Sequence, residues 1–191
     1  MYEVKKFEHL LGLEGFSDEL LKNHFTLYEG YVKNTNGLVE MLDAKEIGTV
    51  EYSELQRRFG WEFNGMRLHE LYFENLVKGG SELEADSDLG KLMIKLYGSF
   101  ENWKKNFVSV GTMRGIGWVV LYLDKENGEL RNVWINEHDT GHLAGCVPIL
   151  VLDVFEHAYM LQYGLKRADY LEAFMKNICF HTANTRFSLA Q

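Results

Sequence analysis

The change of texture at Gly117 constrains this chain more than any other feature. Before it, apolar residues recur at three- and four-residue intervals; after it, they gather into short runs. Side chains three or four apart share a helix face, whereas an unbroken apolar run bounded by turn residues suits a strand buried on both faces. The first texture predicts a helical N-terminal half and the second an α/β remainder. Leu20, Leu21, His24, Leu27, Tyr28 and Tyr31 form one helical stripe behind a cap and acidic first turn at Ser17, Asp18 and Glu19. A second helical pattern begins near Glu51, and Phe63-Asn64-Gly65 is expected to interrupt it. A third carries Leu68, His69, Leu71, Tyr72, Phe73 and Leu76 as far as Gly79-Gly80.

The acidic, polar stretch from Ser81 to Asp88 is the expected boundary, dividing a helical half over residues 1–84 from an α/β half over residues 85–191. Helical spacing covers Leu89 to Tyr97 and Phe100 to Val108. Trp118 to Leu123 then reads as a buried strand, Asp124 to Gly128 as a turn and Leu130 to Ile135 as the returning strand of a hairpin. Val147 to Leu152 is a third strand, expected to run directly into a helix near Asp153. A last helix covers roughly Ala168 to Phe180. The fold class is therefore α+β: an N-terminal helical hairpin, then an α/β half with a three-stranded antiparallel sheet and flanking helices.

Composition narrows the function. A chain that is 46% hydrophobic and 25% charged can bury a sizeable core. Its net charge of −8 opposes nucleic-acid binding, which depends on basic side chains neutralising phosphates. No apolar run approaches a membrane span, and Met1 to Phe16 lacks the apolar core of a secretory signal, so a cytoplasmic protein is expected. Cys146 and Cys179 form no C-x-x-C pair and read as reduced, buried thiols. No G-x-S-x-G, P-loop or G-x-G-x-x-G is present.

The chemistry gathers at Asp153-Val-Phe-Glu-His157. Spacing of four brings a carboxylate and an imidazole to one helix face, although a helix cap and a hydrogen-bonded core histidine would give the same pattern. His24 and His69 each lie among leucines and aromatics on an apolar face. One such histidine is commonly a satisfied core residue. Two of them, with a third beside a carboxylate, suggest inward-pointing metal ligands from several elements. Three imidazoles and one carboxylate leave a position open, which suits iron or manganese better than structural zinc.

The run from Pro148 to Tyr159, PILVLDVFEHAY, resembles the DVWEHAY signature of the iron/manganese superoxide dismutases. Tyr163 to Phe174, including Arg167, resembles that family's continuation, and Gly115-Ile-Gly-Trp118 its GSGW. Leu68 to Leu76 resembles the helix with the second ligand, and Tyr31 to Asn36 its YVNNxN. The match spans most of the chain in the family's order. It implies one iron ion per chain, with manganese the alternative, bound by His24, His69, Asp153 and His157. It further implies Tyr31 as a gateway tyrosine, Trp118 as a cavity wall, and a homodimer in which Glu156 reaches the partner's His157. The implied reaction is antioxidant: superoxide becomes dioxygen and hydrogen peroxide as the metal is alternately reduced and reoxidised.

Several positions depart from the family pattern. His24 precedes Tyr31 by seven residues, one fewer than usual, which implies a deletion; without it, Asn23 would fall at the ligand position. Met160 replaces the second tyrosine of EHAYY, and no histidine stands at Thr26 or Leu27 to meet it, so neither end is left orphaned. Phe155 replaces the signature's tryptophan. The family's donor to the solvent beside the metal is expected at His138, with His142 as competitor or as partner in a separate zinc pair. A histidine donor, and Val151 near Asp153, point to iron. Lys22, Lys33, Lys166 and Arg167 are candidates for a positive approach that offsets the net charge. Another mononuclear iron enzyme, or a catalytically impaired metal-binding relative, would share this fold.

Overall fold

A computed structural model describes residues 1–191. Helix α1, Asp18–Ala44, starts where the Ser17 side chain accepts the Leu20 N–H, as the cap pattern predicts. Helix α2, Val50–Glu74, is capped in the same way by Thr49. The link of residues 45–49 is too short for anything but a hairpin, and α1 packs along α2.

The expected break at Phe63-Asn64-Gly65 does not exist: α2 is one continuous helix. Gly65 serves packing instead. A Cβ there would stand 2.5 Å from Tyr31 Cδ1, so only glycine lets the Tyr31 ring lie against α2. The helix recovers the cost of an internal glycine, about 1 kcal/mol, through that contact.

Helices α3, Asp88–Tyr97, and α4, Phe100–Gly111, precede the sheet. Strands β1, Gly117–Asp124, β2, Glu129–Asn136, and β3, Val147–Asp153, form an antiparallel sheet in the order β2-β1-β3. The central strand β1 is buried from Gly117 to Leu123, which is why its sequence shows no alternation. Its register sets Trp118 opposite Asp153.

The helix expected at Asp153 is replaced by something shorter. Asp153 is the last residue of β3, His157 lies in a 3₁₀ turn over Glu156–Ala158, and α5 is only Met160–Tyr163. Helix α6, Arg167–Lys176, ends before the expected limit, and a further helix, α7, covers Phe180–Ala190. One hydrophobic core extends from Phe7 to Ala190 and draws on both halves. Cys146 and Cys179 are unpaired but partly exposed, not buried. No helix is long and apolar enough to cross a membrane.

Candidate metal centre

Four side chains from three parts of the chain converge where the helical hairpin meets the sheet. His24 comes from α1, His69 from α2, Asp153 from the end of β3 and His157 from the turn after it. One ligand atom from each lies within 4.8 Å of all the others. Asp153 Oδ2 is 3.1 Å from His24 Nε2, 3.1 Å from His157 Nε2 and 3.6 Å from His69 Nε2. His24, His69 and Asp153 are buried and His157 partly so. It is His24 that the fold brings into this cluster, whereas Asn23 is exposed. In an unbroken α1, seven residues are two turns, so His24 and Tyr31 share a face.

His69 tests whether these residues fit a cation. Its Nδ1–H donates to the Gly65 carbonyl at 2.5 Å, which leaves Nε2 as a bare lone pair. That atom is buried and has no hydrogen-bond partner. A lone pair facing a carboxylate across 3.6 Å is unfavourable with nothing positive between them, and a bound cation removes the conflict. Burial lowers the pKa values of His24 and His69, so both imidazoles are neutral and able to coordinate. Burial opposes ionisation of Asp153, but the neighbouring His157 and His24 rings and their hydrogen bonds outweigh it and hold the carboxyl well below its usual range.

The support around Asp153 is polar and fully engaged. Its Oδ1 accepts the Phe155 N–H at 2.8 Å, and its carbonyl accepts the Tyr170 hydroxyl at 2.7 Å. Asn75, at the end of α2, donates to the Val151 carbonyl at 2.6 Å and ties the helix to β3.

Tyr31, Trp118 and His138 form one connected group against this cluster. Tyr31 stacks on His69 with ring centroids 5.1 Å apart, and Trp118 meets His69 edge-on at 5.0 Å. Trp118 Nε1–H donates to His138 Nδ1 at 3.1 Å. Tryptophan can only donate, so the neutral His138 ring carries its hydrogen on Nε2. Tyr31 Oη lies 2.7 Å from that Nε2 and accepts from it. Burial pushes His138 down to about 4 and Tyr31 up to about 12, so both are neutral near pH 7. Tyr31 therefore keeps its own O–H free to donate.

Other expected residues stand further out. Glu156 is exposed beside His157. His142 is partly buried with both nitrogens engaged, one 2.7 Å from Tyr122 Oη and the other 2.8 Å from the His138 carbonyl. With both His138 nitrogens also occupied, no lone pair is left for a shared zinc. Arg167 is held by the carbonyls of Met113 and Gly115, each at 2.7 Å, and by Tyr159 Oη. It braces the turn. Lys22, Lys33 and Lys166 are exposed.

Trp61 escaped the sequence reading. Its ring lies 4.7 Å from His138, with the Arg58 guanidinium 5.2 Å above it. The signal was present: Trp61, Gly65 and His69 recur every four residues and share a face of α2.

Comparison with known proteins adds an independent line. A family model described as "Iron/manganese superoxide dismutases, C-terminal domain" matches residues 85–186. The chain is 37% identical to a superoxide dismutase [Fe] of Cupriavidus metallidurans, with 100% of this chain and 98% of that relative aligned. It is 35% identical to a superoxide dismutase [Fe] of Saccharolobus solfataricus over 89% of this chain and 84% of that one. A superoxide dismutase [Mn] of Haloferax volcanii is 34% identical over 88% and 84% of the two chains.

Proposed function

This chain belongs to the iron/manganese superoxide dismutase family, and from that premise we propose that it converts superoxide to dioxygen and hydrogen peroxide at one metal ion held by His24, His69, Asp153 and His157. The observation that carries the reading is the convergence of those four ligand atoms around the unpartnered His69 Nε2. Reversible one-electron redox chemistry is what an iron or manganese ion supplies when bound there.

The protein's own residues manage protons and access. Each pair of superoxide ions consumed takes up two protons as peroxide forms. Tyr31 Oη, accepting from His138 Nε2–H, holds its hydrogen ready for an oxygen of the substrate. Trp118 fixes the His138 tautomer that makes this possible. Trp118 and Phe155, both buried, border His69 and His157 and narrow the access of bulk water to them. Asp153 holds negative charge against the three imidazoles.

Iron is the proposed metal, one ion per chain, because His138 has a single hydrogen to give where glutamine has two, and that hydrogen goes to Tyr31. A homodimer is part of the same reading. The exposed Glu156 would accept from the partner's His157, and Met160 and Leu161, 37% and 65% exposed, stand beside it. Residues 1–84 and 85–191 would then act as two halves that each supply two ligands. Two unpaired cysteines suit an antioxidant enzyme of a reducing compartment such as the cytoplasm, which cell fractionation checks.

Metal content and dismutase activity measured on one purified sample test the proposal. About one iron per chain with activity is expected. Metal without activity would overturn the dismutase reading, and no metal would overturn the ligand set. Reconstitution with each metal tests iron preference, which equal or greater activity with manganese would overturn.

A further inference from the structure

His138 is not carried by a helix or strand. It sits in the loop of residues 137–146 between β2 and β3. The residue before it, Glu137, has φ 52 and is the sole non-glycine residue with positive φ. Such backbone is unfavourable for an L residue and persists only where neighbours enforce it. The Asn136 N–H, bonded to the Thr140 carbonyl at 3.0 Å, closes one side of the loop.

His142 closes the other side. A carbonyl only accepts, so the 2.8 Å contact with the His138 oxygen requires a hydrogen on His142 Nε2. His142 Nδ1 is then the acceptor of the Tyr122 hydroxyl at 2.7 Å. Tyr122 belongs to β1, the central and most buried strand. A chain of two hydrogen bonds therefore runs from the rigid sheet, through His142, to the main chain of the residue whose ring meets Tyr31. The last link ends on a carbonyl, so it fixes position and passes no proton to the ring.

We propose that His142 is a positioning residue for His138: anchored by Tyr122, it holds the His138 main chain so that Nε2–H meets Tyr31 Oη. This rests on the dismutase reading for its catalytic consequence and on the loop geometry alone for its structural one. Its element of specificity is directional. The bond that matters is the one to the His138 carbonyl.

Two substitutions separate the bonds. His142→Gln places an amide N–H near the former Nε2 and keeps the link to His138 while losing Tyr122. His142→Asn mimics Nδ1, keeps Tyr122 within reach and loses His138. Both are prepared as metal-loaded protein, with metal content, kcat and kcat/KM measured beside hydrogen–deuterium exchange of the 137–146 segment. For His142→Asn we expect unchanged metal content, kcat lowered about 10-fold, kcat/KM nearly unchanged, and loop exchange about 10-fold faster. His142→Gln should stay within about twofold of the parent in each. Parent-like loop exchange and kcat in His142→Asn would overturn the proposal, as would equal impairment of both variants or loss of metal from both. If His142→Asn does not fold, His142→Leu, which keeps the bulk and loses both bonds, takes its place and should speed loop exchange and lower kcat in the same sense; parent-like values would overturn the proposal. A parent protein without dismutase activity would defeat the functional reading, whereas the exchange comparison would still decide the positioning role.

Discussion

At His138 one hydrogen does the work for which glutamine would bring two. Trp118 occupies Nδ1, so the single N–H at Nε2 goes to Tyr31, and the tyrosine hydrogen is left pointing onward. Titration of this ring also links the site to stability. The folded value of about 4 lies below the ordinary 6.5, so between the two the unfolded chain binds a proton that the folded chain refuses. Stability must therefore fall as pH drops from about 6.5 to about 4, by about 3 kcal/mol from this group. His138→Gln removes the titration. Urea unfolding of the two metal-free proteins should show the gap between them shifting against the parent across that window and constant above it. Parallel curves throughout would show that His138 is not held neutral by burial. At this scale the sequence was most informative. His24, His69, Asp153 and His157 were legible because polar, metal-ligating side chains stood on apolar faces where water cannot satisfy them. Trp61 was harder to single out: its four-residue spacing to Gly65 and His69 puts it on their face, but an aromatic there looks the same whether it faces the core or the site.

Among the elements, α2 shows how one close contact overrides propensity. Gly65 sits mid-helix, opposite the Tyr31 ring, and its carbonyl fixes the His69 tautomer. Gly65→Ala would ordinarily stabilise a helix by about 1 kcal/mol. Here the added carbon meets Tyr31 Cδ1 at 2.5 Å, so the ring must move or the hairpin must part. A net destabilisation of about 1–3 kcal/mol is expected, with a fall in activity as Tyr31 leaves His138. Thermal unfolding and activity at matched metal content check both, and a stabilised, active variant would mean the hairpin relaxes freely. The same residue explains why the sequence suggested two helices: glycine marks a break and a close approach alike, and spacing cannot separate them. The strands were easier, because β1 is buried on both faces and its apolar run is unbroken. Asp153 to His157 misled for a different reason. Spacing of four fits a helix turn, but it is also met by a strand end followed by a 3₁₀ turn, and only the tertiary position of Trp118 opposite Asp153 decides. Helix α7 was missed because no capping side chain marks its start.

Across the whole molecule, two charged clusters set how the halves are joined and how an anion arrives. Arg186 of α7 donates to Asn75 Oδ1 at 2.5 Å, to the Leu71 and Ile149 carbonyls and to Glu74 at 2.8 Å, so one side chain links the last helix to α2 and β3. Arg186→Met should cost about 3 kcal/mol by leaving those acceptors unpaired, read as a lowered unfolding midpoint. The second cluster lies beside the site. Superoxide approaches a protein of net charge −8, so local charge must favour entry. Arg58, over Trp61, is paired at 2.5 Å with Glu62, which is 3% exposed and also accepts from Asn34. Both charges act on Tyr31, and Arg58 on His138. The pair is nearly neutral, and each member masks the other. Arg58→Gln uncovers a carboxylate and should lower kcat/KM about threefold at low salt. Glu62→Gln uncovers the guanidinium and should raise it by a similar factor. The double variant should return close to the parent, because it removes both charges at once. All differences should shrink as ionic strength passes 0.15 M, where the screening length falls to about 8 Å. Differences that persist unchanged in high salt would show that the pair acts by holding Trp61 in place, and approach would then depend on charges elsewhere on the surface.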